Sequence, residues 1–369
     1  MTPAIPSVLH VIPTRIARGA QREARALADV LHLPGVRTHS VLSLFDGPPQ
    51  VDAELAIDYP GGEHPGAGFD PRLVLVLRRA LDRLDPTVIV AHGSEPMKYL
   101  VPAAIGRRRP LVYYAIGTYS GSGQRAQLLA WRLLVRRAAV VASVGDEVRS
   151  ECIELLGMPA DRVLATVNGR DPGVFHPPVR RTWPSTPLLL FVGALTRGKR
   201  PDRFIELVAE LRALGIPLRA EMVGDGPLAG ELADAADAAG VERLGSRSDV
   251  AYHLRRADLL VFPSRPEGEG MPGVLVEAGL SGVPVVATDV PGVRQIVCDG
   301  RTGSIVPVDD LPALVTATTD LLADRDRRSA MGRAARLHCT SKFSVDAAGA
   351  RLLTIVTPLL EHRRSAAQR

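Results

Sequence analysis

Along this chain, short apolar runs rich in β-branched residues recur between longer stretches whose apolar positions return every three or four residues. The runs at 7–13, 88–91, 111–116 and 139–144, and again at 188–192, 220–223, 259–262 and 284–288, have the length and composition of strands. Continuous apolar runs suit strands covered on both faces, so the rhythm predicts βαβ units and parallel sheets. Helical periodicity is clearest at 201–214, where Phe204, Leu207, Val208 and Leu211 share a face, and at 310–322, with Leu311, Leu314, Val315 and Leu322. A last helix over 345–363 has Leu352, Leu353, Val356, Leu359 and Leu360 as the stripe it would bury.

The stretch 176–187 lacks periodicity and contains Pro177, Pro178, Pro184 and Pro187, which predicts a linker. It separates domains of 1–178 and 187–341, in keeping with 369 residues at about 100–200 per domain. Aromatics make up only 4% of the chain, so packing must rest on Val, Leu, Ile and Ala. The three cysteines, Cys152, Cys298 and Cys339, form no CxxC and suggest neither a disulfide frame nor a zinc site. A reducing cytoplasm is the natural setting. No signal-peptide pattern opens the chain, and no run approaches the roughly 18 apolar residues of a membrane span. The formal net charge of +5 comes from arginine spread along the whole sequence and reads as a solvated surface. No basic stretch interleaves aromatics, so nucleic acid is not an expected partner.

Chemistry is concentrated in PEGEGMPGVLVEAGLSG at 266–282, directly after the buried run LLVFPS. Pro272 can open a helix at its first position, leaving Glu269 just before the first turn and Glu277 about one and a half turns inside. Unpaired N–H groups and the positive dipole end at such a terminus suit a phosphate, and flanking carboxylates suit ligand hydroxyls. The alternative is that both glutamates are ordinary N-terminal helix acids; the physics alone leaves the two readings open. Earlier in the chain, Gly19 follows the first strand in Arg18–Gly19–Ala20, where glycine permits either close ligand approach or a simple tight turn. His92 ends a strand at a sheet edge, where it can bond an acceptor or be satisfied by a neighbouring loop.

The stretch 266–282 resembles the E-x7-E motif of glycosyltransferase family 4, with Glu269 first, Glu277 second and Glu267 two positions too early. The resemblance covers nearly the whole chain, since VLHVIPTRIARGAQREARAL, TVNGRDPGVFHPP, FVGALTRGKRPDRFIEL, MVGDGP, LGSRSDVAYHLRRADLLVFPS, GVPVVATDVPG and DGRTGSIVPV follow in the family's order. It implies an α/β fold of the GT-B type, two Rossmann-like domains whose parallel sheets face across a cleft. The acceptor side would be 1–178, the nucleotide-sugar side 187–341, and helix 345–363 would return to the N-terminal domain. The implied activity is retaining transfer of a hexose-type sugar from a UDP- or GDP-linked donor to a hydroxyl acceptor, either a small molecule or a lipid-linked glycan.

The same resemblance assigns catalysis to Lys199 and Glu269, with Arg197 as the substitute cation, and His92 joins them as a catalytic candidate from its place at the strand end. The resemblance assigns donor contacts to Gly19, Gly193, Lys199, Arg247, Met271, Pro272, Gly273, Val274 and Glu277. Cations and backbone N–H groups would neutralise the diphosphate while the leaving phosphate takes the acceptor's proton, with no metal or other cofactor. A nucleophilic Glu269, by analogy with glycosidases, is the lesser alternative. Three departures stand out: Ala194 occupies the place of a usual arginine, for which Arg197 would substitute from three residues on; Ile116 replaces a histidine; and Gln295 replaces a glutamate. The first two keep open a non-catalytic nucleotide-sugar-binding protein, and the fold itself keeps open a sugar-nucleotide epimerase. Intact E-x7-E and Lys199 favour the transferase, and an NAD-dependent dehydrogenase lacks its GxGxxG fingerprint. Finally, QRAQLLAWRLLVRR at 124–137, with Arg107, Arg108 and Arg109 as a second basic cluster, raises peripheral association with the inner face of a membrane. The apolar stripe of that helix must also pack on the sheet.

Overall fold

All eight apolar runs are strands in the computed structural model, which describes residues 7–16, 19–31, 37–45, 50–57, 68–107, 109–117, 125–179, 186–267 and 269–367. The chain divides into two compact units, Met1–Gly169 with Val345–Arg369, and Arg170–Ser344.

The first unit is built on seven strands, β1 (Ser7–Ile12), β2 (Arg37–Ser43), β3 (Leu55–Ala56), β4 (Val88–His92), β5 (Leu111–Ala115), β6 (Val140–Val144) and β7 (Val163–Thr166). They pair in parallel in the order β3-β2-β1-β4-β5-β6-β7. Helices α1 (Gly19–Val30), α2 (Pro71–Leu84), α3 (Ser94–Ala103), α4 (Arg125–Val135) and α5 (Asp146–Glu154) alternate with the strands. Every residue of β4 and β5 is buried, as a two-sided cover requires. Local signals set the helix ends. In α2 the Asp70 carboxylate caps the Arg72 N–H, Pro71 supplies a preset φ, and Leu73, Leu77 and Leu81 form a fully buried stripe.

The second unit has six parallel strands, β8 (Leu188–Val192), β9 (Arg219–Val223), β10 (Glu242–Gly245), β11 (Leu259–Phe262), β12 (Val285–Thr288) and β13 (Gly303–Val306), in the order β10-β9-β8-β11-β12-β13. Its helices are α6 (Pro201–Ala213), α7 (Ala233–Ala239), α8 (Val250–Arg256), α9 (Gly273–Leu280), α10 (Val293–Ile296), α11 (Leu311–Ala323) and α12 (Arg325–Phe343). Phe204, Leu207, Val208 and Leu211 of α6 are fully buried, the face their spacing predicts. The last helix, α13 (Val345–Ala367), packs in the first unit, with Leu352, Ile355, Val356 and Leu360 buried and Gly349 close to Val30 of α1.

The boundary falls earlier than the proline-rich stretch suggests. Residues 170–178, expected in the first domain, pack in the second unit. Gly169 gives its N–H to Glu23 of the first unit, whereas the Arg170 N–H bonds Phe343 O and the Arg336 guanidinium bonds Phe175 O in the second. Pro177 lies against Gly282 of that unit. Residues 180–185 of the expected linker lie outside the described residues.

Candidate active site

In the second unit the chain builds outward from β8 to β9 and β10, then returns beside β8 as β11. The loops leaving β8 and β11 therefore flank a topological switch point, where open α/β sheets hold ligands. Lys199 is on the first loop and Glu269 on the second. The structure joins them: the Lys199 ammonium donates to Glu269 Oε1 and lies 5.6 Å from the centre of the Phe262 ring. Glu269 is only 4% exposed, and a buried carboxylate needs such a partner.

Backbone contacts hold the Lys199 loop in place. Gly193 N–H bonds Val223 O, Leu195 N–H bonds Asp225 O, and Leu228 N–H bonds Leu195 O. A Cβ on Gly224, whose φ is 146°, would lie 1.8 Å from Gly193 O, so only glycine lets the MVGDGP turn close on this loop. Gly193 thus serves the loop through its backbone.

Beyond Lys199, Arg200 takes a left-handed φ of 52°, a conformation costing a side-chain-bearing residue about 1–3 kcal/mol. Its buried guanidinium pairs with Asp202 and Asp309. Arg265 pairs with Asp309 at 3.0 Å and gives its N–H to Gly198 O at 2.8 Å. Lys199 is therefore flanked by fixed residues on both sides. Arg200, Arg265 and Asp309 were not singled out by the sequence; an arginine directly before a helix-opening proline is the only local hint.

Helix α9 begins at Gly273, with Pro272 as an extended N-cap (ψ 107°) and not as the first helical residue. No side chain caps this end, which leaves the first N–H groups of the helix, on Gly273 and Val274, without intrahelical acceptors. Met271 is buried. A Cβ on Gly292 would lie 1.9 Å from Gly270 O, so the 290–292 turn closes tightly on the segment entering α9. Glu277 lies one turn inside, where its Oε1 accepts from Arg170 Nε at 2.7 Å. Glu267 is exposed, consistent with its position outside the motif.

Two further expected residues are exposed. Arg197 is exposed and lines a cavity of about 280 Å3 with Arg200, Asp202, Leu228, Glu231 and Arg265, among others; Lys199, Glu269 and Glu277 do not line it. Arg247, in the loop after β10, is exposed and paired with Asp249 at 3.0 Å.

In the first unit, Gly19 opens α1 and His92 ends β4, on either side of that sheet's own switch point between β1 and β4. Arg18 lies outside the described residues. Of the two readings of His92, the surroundings resemble the one in which neighbouring residues enclose it. It is 1% exposed, with Nε2 2.8 Å from His10 Nδ1 and its ring 4.9 Å from that of Tyr114, so its ring is packed inside the unit. Burial lowers its pKa to about 3, which leaves it neutral near pH 7. The Tyr114 hydroxyl lies 2.9 Å from Glu23 Oε1 and 3.0 Å from Val167 O, with one proton to donate to either, and completes a polar cluster inside the unit.

Comparisons with known proteins establish the family and the fold. Residues 17–174 match the family model described as Glycosyltransferase Family 4, and residues 186–324 match Glycosyl transferases group 1. The chain is 34% identical to the GDP-mannose-dependent alpha-(1-6)-phosphatidylinositol monomannoside mannosyltransferase of Mycolicibacterium smegmatis, over 81% of this chain and 82% of that protein. This chain belongs to glycosyltransferase family 4. A second family relative, the alpha-D-kanosaminyltransferase of Streptomyces kanamyceticus, is 31% identical over 61% of this chain, which spans 62% of that protein's length. The GT-B fold is shared with HepE of Anabaena, solved with UDP and glucose, at a TM-score of 0.79 and 19% identity over 95% of this chain and 99% of that one. Among the described residues, no helix is long and apolar enough to cross a membrane.

Proposed function

We propose that this family 4 member is a retaining glycosyltransferase that moves a hexose-type sugar from a UDP- or GDP-linked donor to a hydroxyl acceptor. The observation that carries the reading is the Lys199–Glu269 pair at the switch point, beside the uncapped N-terminus of α9. The donor diphosphate would meet Lys199 and the N–H groups of Gly273 and Val274. Charge grows on it as the glycosidic bond breaks, so groups already fixed there stabilise the transition state more than the ground state. Glu269, held by Lys199, would accept hydroxyls of the sugar, and Glu277 those of the ribose. The acceptor oxygen bonds the anomeric carbon on the face the phosphate leaves, and its proton passes to a phosphate oxygen. A nucleophilic Glu269 is less well supported, because the lysine ammonium already occupies its carboxylate.

The named relatives support the donor class without choosing within it, since one is GDP-mannose-dependent and HepE was crystallised with UDP and glucose. For the acceptor we propose a lipid-linked glycan met at a membrane surface, because α4 leaves Leu129 and Leu133 exposed one turn apart. Nucleotide release from UDP- and GDP-hexoses, measured with and without lipid-linked and small hydroxyl acceptors, tests the activity. A transferase releases nucleotide faster with acceptor and yields a glycosylated product. Acceptor-independent isomerisation would indicate an epimerase, and binding without release a non-catalytic protein.

A further inference from the structure

We infer that Arg170 is a positioning residue for donor binding, one that fixes the Glu277 carboxylate where it meets the ribose; the inference rests on the donor site proposed above. Arg170 is held at both backbone and side chain. Its N–H bonds Phe343 O at 3.0 Å, its backbone bridges to Ser344, and its guanidinium is buried with Nε on Glu277 Oε1. The Arg170 and Glu277 side chains are 9% and 16% exposed, so the pair sits largely out of water.

The same chain segment braces α9 a second time. Arg336 Nη1 donates to Phe175 O at 2.7 Å and to Leu280 O, the last residue of α9, at 2.5 Å. Residues 170–175 thus meet α9 directly at Glu277 and, through Arg336 of α12, at its final turn. A carboxylate offers about four lone-pair sites, so one N–H from Arg170 leaves room for both hydroxyls of a ribose diol. Glu277 is ordered by Arg170 before a nucleotide arrives, and preorganisation of this kind strengthens binding by removing an ordering cost.

The test is calorimetric titration of the whole chain with UDP and with GDP, alongside kcat and KM for the active donor. The variants are Arg170→Ala, Arg170→Lys, Glu277→Ala and the double alanine, each checked for folding by thermal melting. Arg170→Ala should raise the nucleotide Kd and donor KM roughly ten- to a hundredfold, the weight of a hydrogen bond to a charged group, while kcat changes much less. Arg170→Lys should restore a large part of the affinity. In the Glu277→Ala background, loss of Arg170 should add no more than about twofold, because its partner is already gone. Fully additive losses, or a Kd unchanged in Arg170→Ala while Glu277→Ala weakens binding, would overturn the inference and leave the donor site standing. If Glu277→Ala itself leaves nucleotide binding intact, the donor-site reading fails, and the role of Arg170 with it. Should Arg170→Ala not fold, Arg170→Lys and Arg170→Gln carry the same comparison.

Discussion

Burial holds the His92 imidazole at a pKa of about 3, against about 6.5 for a free side chain, and stability must then depend on pH. The unfolded chain takes up a proton near pH 6.5 and the folded chain only near 3. The stabilising contribution is therefore complete above pH 6.5 and is lost as pH falls towards 3, at about 1.4 kcal/mol per pH unit. Melting temperature against pH should fall less steeply below 6.5 in His92→Gln than in the native chain; superimposable profiles would show that His92 is not the group responsible. Its position at the end of a strand was legible in the sequence, but the His10 and Tyr114 rings that cover it come from other strands. Glu269 and Glu277 could be singled out because both lie in one short stretch whose E-x7-E spacing resembles the family motif. Arg170 could not be, because its partner is 107 residues away and nothing around it in NGRDP marks a contact.

The strands that the apolar runs revealed are the inner ones of each sheet. Most of those left unmarked, β3, β7, β10 and β13, are sheet edges, where partial exposure removes the continuous apolar signature. Helix α4 shows how one apolar stripe can serve two purposes. Trp131 and Val135 are buried, Leu128 and Leu134 pack on the core, and Leu129 and Leu133 remain exposed. Much of the expected basic flank is engaged within the protein. Arg132 bonds Leu155 O, Arg107 pairs with Asp82, and Arg109 pairs with Asp85 and Asp82; Arg108 lies outside the described residues. Arg136 and Arg137 remain exposed, at about 1 kcal/mol each near an anionic leaflet. We expect weak flotation with anionic vesicles, abolished by moderate salt and by Leu129→Ser with Leu133→Ser, and none with neutral vesicles. Absence of binding to anionic vesicles at low salt would favour a small soluble acceptor.

At the scale of the whole molecule, two parallel sheets of similar winding carry different loads. Lys199, Glu269, Glu277 and the uncapped start of α9 all belong to Arg170–Ser344, so these parts of the proposed donor grip lie within one unit. The first unit contributes Gly19 at its own switch point and, in α4, the proposed acceptor-side surface. Initial rates of Lys199→Ala over a range of donor concentrations test the account most directly. Unfolding is followed in parallel, since the variant leaves the Glu269 carboxylate buried without its cation. The account predicts kcat lowered roughly ten- to a hundredfold, the range for a lost hydrogen bond to a charged group, with a smaller rise in KM, because the charge Lys199 meets grows as the glycosidic bond breaks. A folded Lys199→Ala variant with unchanged kcat would contradict it.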